Sequence, residues 1–208
     1  MRAKFIAELV GTFFLALTVV LTVSPEGAGS LAPIAVGLLL AGVIFAGGHL
    51  SAAHYNPAIT LAFWARGRCS RREVPVYLAA QLLGAAAAAF VADALRAGFP
   101  EPAVASYRAG PALLAEVLFT FVLAWVILNV ATTRGTAGNP FYGMAIGATV
   151  TAAAYAVGPL SGAVLNPAVA LALALSGLHG WGGLWIYLVA TPAGALAAAA
   201  VLGLSVED

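Results

Sequence analysis

Gly48-His49-Leu50-Ser51-Ala52-Ala53-His54-Tyr55-Asn56-Pro57-Ala58-Ile59-Thr60 and Leu160-Ser161-Gly162-Ala163-Val164-Leu165-Asn166-Pro167-Ala168 are two versions of one phrase. Each ends by opening a short apolar stretch with Asn-Pro-Ala. Asn is a favoured helix N-cap and Pro is favoured at the first helical position, so Asn56-Pro57-Ala58 and Asn166-Pro167-Ala168 each read as the start of a helix. The surrounding sequence is membrane-like, which puts both starts inside the bilayer. A backbone break at that depth is tolerated only where it is buried in protein or lines a watery cavity. The pair therefore points to a pathway.

Composition agrees. Hydrophobic residues make up 62% of the 208-residue chain and charged residues 8%, with a mean hydropathy of +1.00. A soluble domain of this length does not look like that, and the class is a polytopic membrane protein. A formal net charge of +1, with no basic block, gives no footprint for a nucleic-acid partner. Cys69 is the lone cysteine and excludes an internal disulfide. No spaced nucleophile and base or phosphate-binding glycine loop suggests an enzyme, and neither a cofactor nor a metal is expected; His49 and His179 are read as loop histidines and His54 as a residue that matters through its carbonyl, so the three are not read as metal ligands.

Apolar runs of spanning length fall at about Phe5–Val23, Leu31–Gly48, Val74–Leu95, Ala112–Ala131, Phe141–Gly158 and Trp181–Leu204. Two pieces, Asn56–Trp64 and Asn166–Leu175, are too short to cross. The first run has no small-residue cleavage site and is expected to stay in the mature protein. With six spans, Arg2, Lys4, Arg66, Arg68, Arg71, Arg72 and Arg134 fall on one side, and Arg96 and Arg108 on the other. The bias of Lys and Arg predicts cytoplasmic N and C termini.

A shift of 110 residues lays Gly37 on Gly147, Ser51 on Ser161, Asn56 on Asn166, Tyr77 on Tyr187 and Gly84 on Gly194, and a two-residue slip lays Glu8 on Glu116. The chain thus reads as a single domain, 1–208, of two repeats, about 1–96 and 111–208. Three spans per repeat, an odd number, turn the second upside down, so that the short helices enter from opposite faces and meet at the midplane. Small residues such as Gly143 with Gly147, Gly37 with Ala41, Gly84 and Gly194 mark close helix contacts.

The two quoted stretches resemble the signature loops of the aquaporin and glycerol-facilitator family, and the likeness runs over the whole chain. It implies an all-α membrane protein of six transmembrane helices plus two re-entrant half-helices, an inverted internal repeat, assembled as a homotetramer with one pore per protomer. From chemistry alone, a capping Asn accepts a backbone N–H through its side-chain oxygen and keeps its NH2 free, so Asn56 and Asn166 would both donate to a passing solute. Positive half-helix N-termini oppose cations and hydronium there. The resemblance adds pore carbonyls from extended residues ahead of each cap, Ala52, Ala53 and His54 on one side and Gly162, Ala163 and Val164 on the other. It also assigns Glu8 and Glu116 as buried carboxylates that accept loop N–H groups; ionisable groups in a span are otherwise read as functional.

One departure matters. Most members carry Arg directly after the second Asn-Pro-Ala, and this chain has Val169. The other positions of the family's selectivity ring fall on Val36, Ala154 and Ala163, in place of the usual aromatic, His or Gly, and Cys or aromatic. Such a ring is expected to be wide, apolar and weakly selective. The expected function is a passive channel for water and small uncharged solutes, such as glycerol, urea and arsenite-like metalloid hydroxides; some bacterial members with Val in place of that Arg resemble metalloid channels. A bacterial or archaeal plasma membrane is the expected setting. A secondary active transporter with inverted repeats is the alternative, although only Glu8 and Glu116 offer intramembrane acids for ion coupling, and a purely structural membrane protein is weaker still.

Overall fold

The computed structural model describes residues 1–100 and 103–205, so the last three residues of the second repeat lie outside the described residues. The described residues form eight α-helices: α1 Arg2–Val23, α2 Ala32–Ser51, α3 Pro57–Ala65, α4 Val74–Leu95, α5 Ala109–Thr132, α6 Tyr142–Ser161, α7 Pro167–Leu175 and α8 Leu184–Ser205. All except α3 and α7 belong to the six segments long and apolar enough to cross a membrane. The half-helices α3 and α7 have nine residues each, about half a crossing. Some helices run a few residues beyond the apolar runs, most clearly α2 and α6, which continue to Ser51 and Ser161. Both then stop on a left-handed residue, Ala52 at φ 66° and Gly162 at φ 84°.

Helix packing is paired across the repeat: α1 lies on α2 and α4, α5 lies on α6 and α8, and α2 meets α6 in the middle. Each half-helix leans on the other repeat, α3 on α8 and α7 on α4. In lipid there is no hydrophobic drive between apolar helices, so contact follows close backbone approach. A Cβ added at Gly84 would stand 2.5 Å from the Leu9 carbonyl oxygen, and one at Gly194 2.3 Å from that of Val117. Gly37 and Gly147 face each other the same way: a Cβ on Gly147 would come 2.3 Å from the Gly37 oxygen. Large side chains such as Phe14, Phe90 and Leu188 point outward.

Several contacts tie the ends of segments together. Lys4 Nζ donates to Glu73, joining the start of α1 to the start of α4, and Arg68 Nη2 donates to the Thr132 carbonyl at the end of α5.

Candidate functional site

Asn56 caps α3 and Asn166 caps α7 as the sequence predicts. The Asn56 Oδ1 accepts the Ala58 N–H at 2.9 Å; the Asn166 Oδ1 accepts those of Ala168 at 2.9 Å and Val169 at 3.4 Å. Their NH2 groups are not wholly free, however. Asn56 Nδ2 donates to the Leu165 carbonyl at 2.8 Å, and Asn166 Nδ2 donates to the Tyr55 carbonyl at 2.9 Å. Each amide thus crosses to the residue preceding the other cap, which staples the half-helices tip to tip. One N–H per amide is used in this way, and one remains.

The loops before the caps are held by the two carboxylates. Glu8 Oε1 accepts from Ser51 Oγ at 2.6 Å and the His54 N–H at 2.9 Å, while its Oε2 accepts from the Tyr55 N–H and Gln81 Nε2, both at 2.7 Å. Glu116 does the same, Oε1 taking Ser161 Oγ at 2.7 Å and the Val164 N–H at 2.8 Å, and Oε2 the Leu165 N–H at 2.7 Å. Both carboxylates are fully buried. Tyr77 and Tyr187 complete the likeness by donating to the carbonyls of Ser51 and Ser161, each at 2.7 Å. The second half lacks one part: Gln81, which also donates to Thr60 Oγ1 at 3.0 Å, corresponds to Thr191, whose hydroxyl turns back to the Tyr187 carbonyl.

With their N–H groups drawn to carboxylate and Ser hydroxyl, the loop residues leave their carbonyls over. No described residue donates to the carbonyls of Ala52, Ala53, His54, Gly162, Ala163 or Val164. The backbone there is not extended throughout, contrary to the expectation from the sequence. Ala52, Ala53, Tyr55, Ala163 and Leu165 all have φ between 48° and 66°, because successive N–H groups must turn back to the same carboxylate. Ala53, His54, Gly162, Ala163 and Val164 line a cavity of about 330 Å³, which is space on the order of ten waters. Asn56 and Asn166 line it too, opposite apolar side chains such as Leu40, Ile127 and Val150. Ala52 differs from expectation: it lines a separate cavity of about 180 Å³ with Lys4, Cys69 and Glu73.

Val36, Ala154, Ala163 and Val169 border the larger cavity. Two polar residues join them: Tyr107, which the sequence reading passed over, and His179, which it read only as a loop histidine. The segment bearing Tyr107 is pinned by the Ala105 N–H, which donates to the Leu178 carbonyl at 2.8 Å. Burial pulls the His179 imidazole down to about 4, so it is neutral at physiological pH. The 110-residue shift aligns His179 with Cys69, which borders the smaller cavity, and that was the one available signal. Tyr107 lies between the repeats and gave none. Among the described residues no cluster of His, Cys, Asp and Glu is arranged to hold a metal.

Two half-helices meeting tip to tip inside a six-span bundle, beside a cavity lined by loop carbonyls without donors among the described residues, define a membrane channel. The family model for "Major intrinsic protein" matches residues 1–202. Aquaporin NIP1-1 of Oryza sativa subsp. japonica is 38% identical over 205 residues, covering 94% of this chain and 72% of that protein. Nodulin-26 of Glycine max is 37% identical over 206 residues, covering 94% and 75%. The solved aquaglyceroporin from Plasmodium falciparum shares the fold at a TM-score of 0.80 and 23% identity, covering 96% of this chain and 94% of that one. The chain belongs to the major intrinsic protein family, whose members are channels and not enzymes. The relatives from Oryza sativa and Glycine max are plant proteins and lend no support to a bacterial or archaeal source.

Proposed function

We propose that this protein passes water and small uncharged solutes, glycerol, urea and metalloid hydroxides such as arsenite among them, down their gradients through a pore whose narrow ring is Val36, Ala154, Ala163 and Val169. The observation that carries the reading is the crossed pair of amides, each holding its neighbour's loop and keeping one N–H beside the cavity. A solute oxygen passing between them meets two donors, and the free loop carbonyls accept from its hydroxyls in turn. A cation instead meets the positive ends of α3 and α7. The ring has no charged or hydrogen-bonding side chain, so width and dryness do the sorting there. The names of the relatives speak of water and glycerol, in keeping with this range.

The test is stopped-flow light scattering on proteoliposomes with water, glycerol, urea and arsenite. Glycerol and arsenite flux well above empty vesicles is expected; flux of water alone would defeat the wide-ring reading. Assembly into a homotetramer, with four separate pores, follows the family resemblance and is checked by light scattering of the detergent complex. Cytoplasmic termini are supported by the contacts of Lys4 with Glu73 and Arg68 with Thr132, which draw the basic loops to one face. Accessibility of cysteines introduced at either terminus tests the orientation.

A further inference from the structure

The geometry assigns Tyr107 and His179 as a specificity-determining pair at one mouth of the pore, a donor–acceptor couple that engages hydroxyl-bearing solutes where the ring itself offers no side-chain hydrogen bond. The assignment rests on the channel reading and adds the groups that sort its solutes.

Both residues converge on Gly162. A Cβ built there would lie 3.2 Å from Tyr107 Oη, 3.0 Å from His179 Cε1 and 3.4 Å from His179 Nε2. The hydroxyl and the imidazole edge therefore close over the bare backbone of a residue whose carbonyl has no donor, in the wall that continues to Ala163. The rings meet edge to face with centroids 5.6 Å apart, and His179 also packs on Tyr187 at 5.7 Å, which fixes its orientation. Neither Tyr107 Oη nor either His179 ring nitrogen has a hydrogen-bond partner among the described residues, and His179 Nδ1 is buried. Nδ1 is closed off, whereas Tyr107 Oη and His179 Nε2, accessible beside the cavity and without partners among the described residues, are left for what passes through it.

The chemistry of the couple narrows the solute. A phenol hydroxyl both donates and accepts, and a neutral imidazole nitrogen does one or the other according to its tautomer. An Arg on the ring would only donate and would add charge. The couple here matches a hydroxyl, which needs a donor and an acceptor together, and it adds no charge barrier. Solutes with several hydroxyls gain most, urea less, and water least because a single molecule slips by with few contacts.

Proteoliposomes of Tyr107→Phe, His179→Leu and His179→Gln, compared with wild type, test this. Tyr107→Phe keeps the ring and removes one hydroxyl. It is expected to lower the glycerol-to-water permeability ratio about three- to tenfold, the effect of losing one hydrogen bond. His179→Leu should do likewise, whereas His179→Gln, which keeps a donor and an acceptor, should retain most of the wild-type ratio. Unchanged ratios in Tyr107→Phe and His179→Leu, with glycerol still passing the wild type, overturn the pair while leaving the channel intact. A wild-type protein that passes no solute above empty vesicles overturns the channel reading, and the pair falls with it.

Discussion

Ala52 and Gly162 occupy the same place in the two repeats, and the backbone is left-handed at both, φ 66° and 84°. Only glycine takes that conformation without a steric penalty, so Ala52 carries strain of about 1–2 kcal/mol, partly offset by the entropy that Gly loses on folding. Ala52→Gly is therefore expected to raise the thermal midpoint in detergent, by a gain of up to about 1 kcal/mol. A lower midpoint would mean that the loop needs the methyl group. The carboxylates allow a sharper test. Each oxygen of Glu8 faces one backbone N–H, of His54 or Tyr55, and each oxygen of Glu116 faces that of Val164 or Leu165. No orientation of an amide escapes pointing NH2 at a donor, so Glu8→Gln and Glu116→Gln should each cost about 1–3 kcal/mol and cut the yield of folded protein. Wild-type yield and flux in both would contradict a loop-holding role. The sequence made these acids legible as a repeated pair; the partial commitment of the Asn amides was not legible, because it depends on carbonyls 109 and 111 residues away.

Helices come together here through missing side chains. Gly84 and Gly194 let α4 and α8 lie against the backbones of α1 and α5, and Gly37 with Gly147 does the same for α2 and α6. Gly194→Ala places its methyl carbon 2.3 Å from a carbonyl oxygen and must part α8 from α5. A sharp drop in folded yield is expected for it and for Gly84→Ala, while Gly42→Ala, with nothing within 4 Å, should behave as wild type in size-exclusion profiles. Equal behaviour of all three would remove close packing as the reason for these glycines. At this scale most of the fold could be read directly, since six long apolar runs and two short ones become six spans and two half-helices. What escaped was where α2 and α6 stop: hydropathy fades at Gly48 and Gly158, but the helices run on until Ser51 and Ser161 can reach the carboxylates.

At the scale of the whole molecule, each half-helix rests on a helix of the other half of the chain, α3 on α8 and α7 on α4. The 110-residue spacing made the meeting of the Asn caps legible; the pairing of Tyr107 with His179 was not, because Tyr107 lies between the halves and His179 aligns only with Cys69. Val169 tests the pore as a unit. A guanidinium introduced by Val169→Arg would enter the cavity beside the unpaired carbonyls of Gly162 and Ala163, so glycerol and arsenite passage should fall by roughly an order of magnitude relative to water. Unchanged ratios would remove Val169 from the constriction. The most direct measurement follows glycerol and protons together in proteoliposomes carrying a pH-sensitive dye. Rapid glycerol equilibration with no ion gradient and no proton leak is the predicted result, and glycerol movement that requires a proton or sodium gradient, or that carries protons with it, would contradict the account.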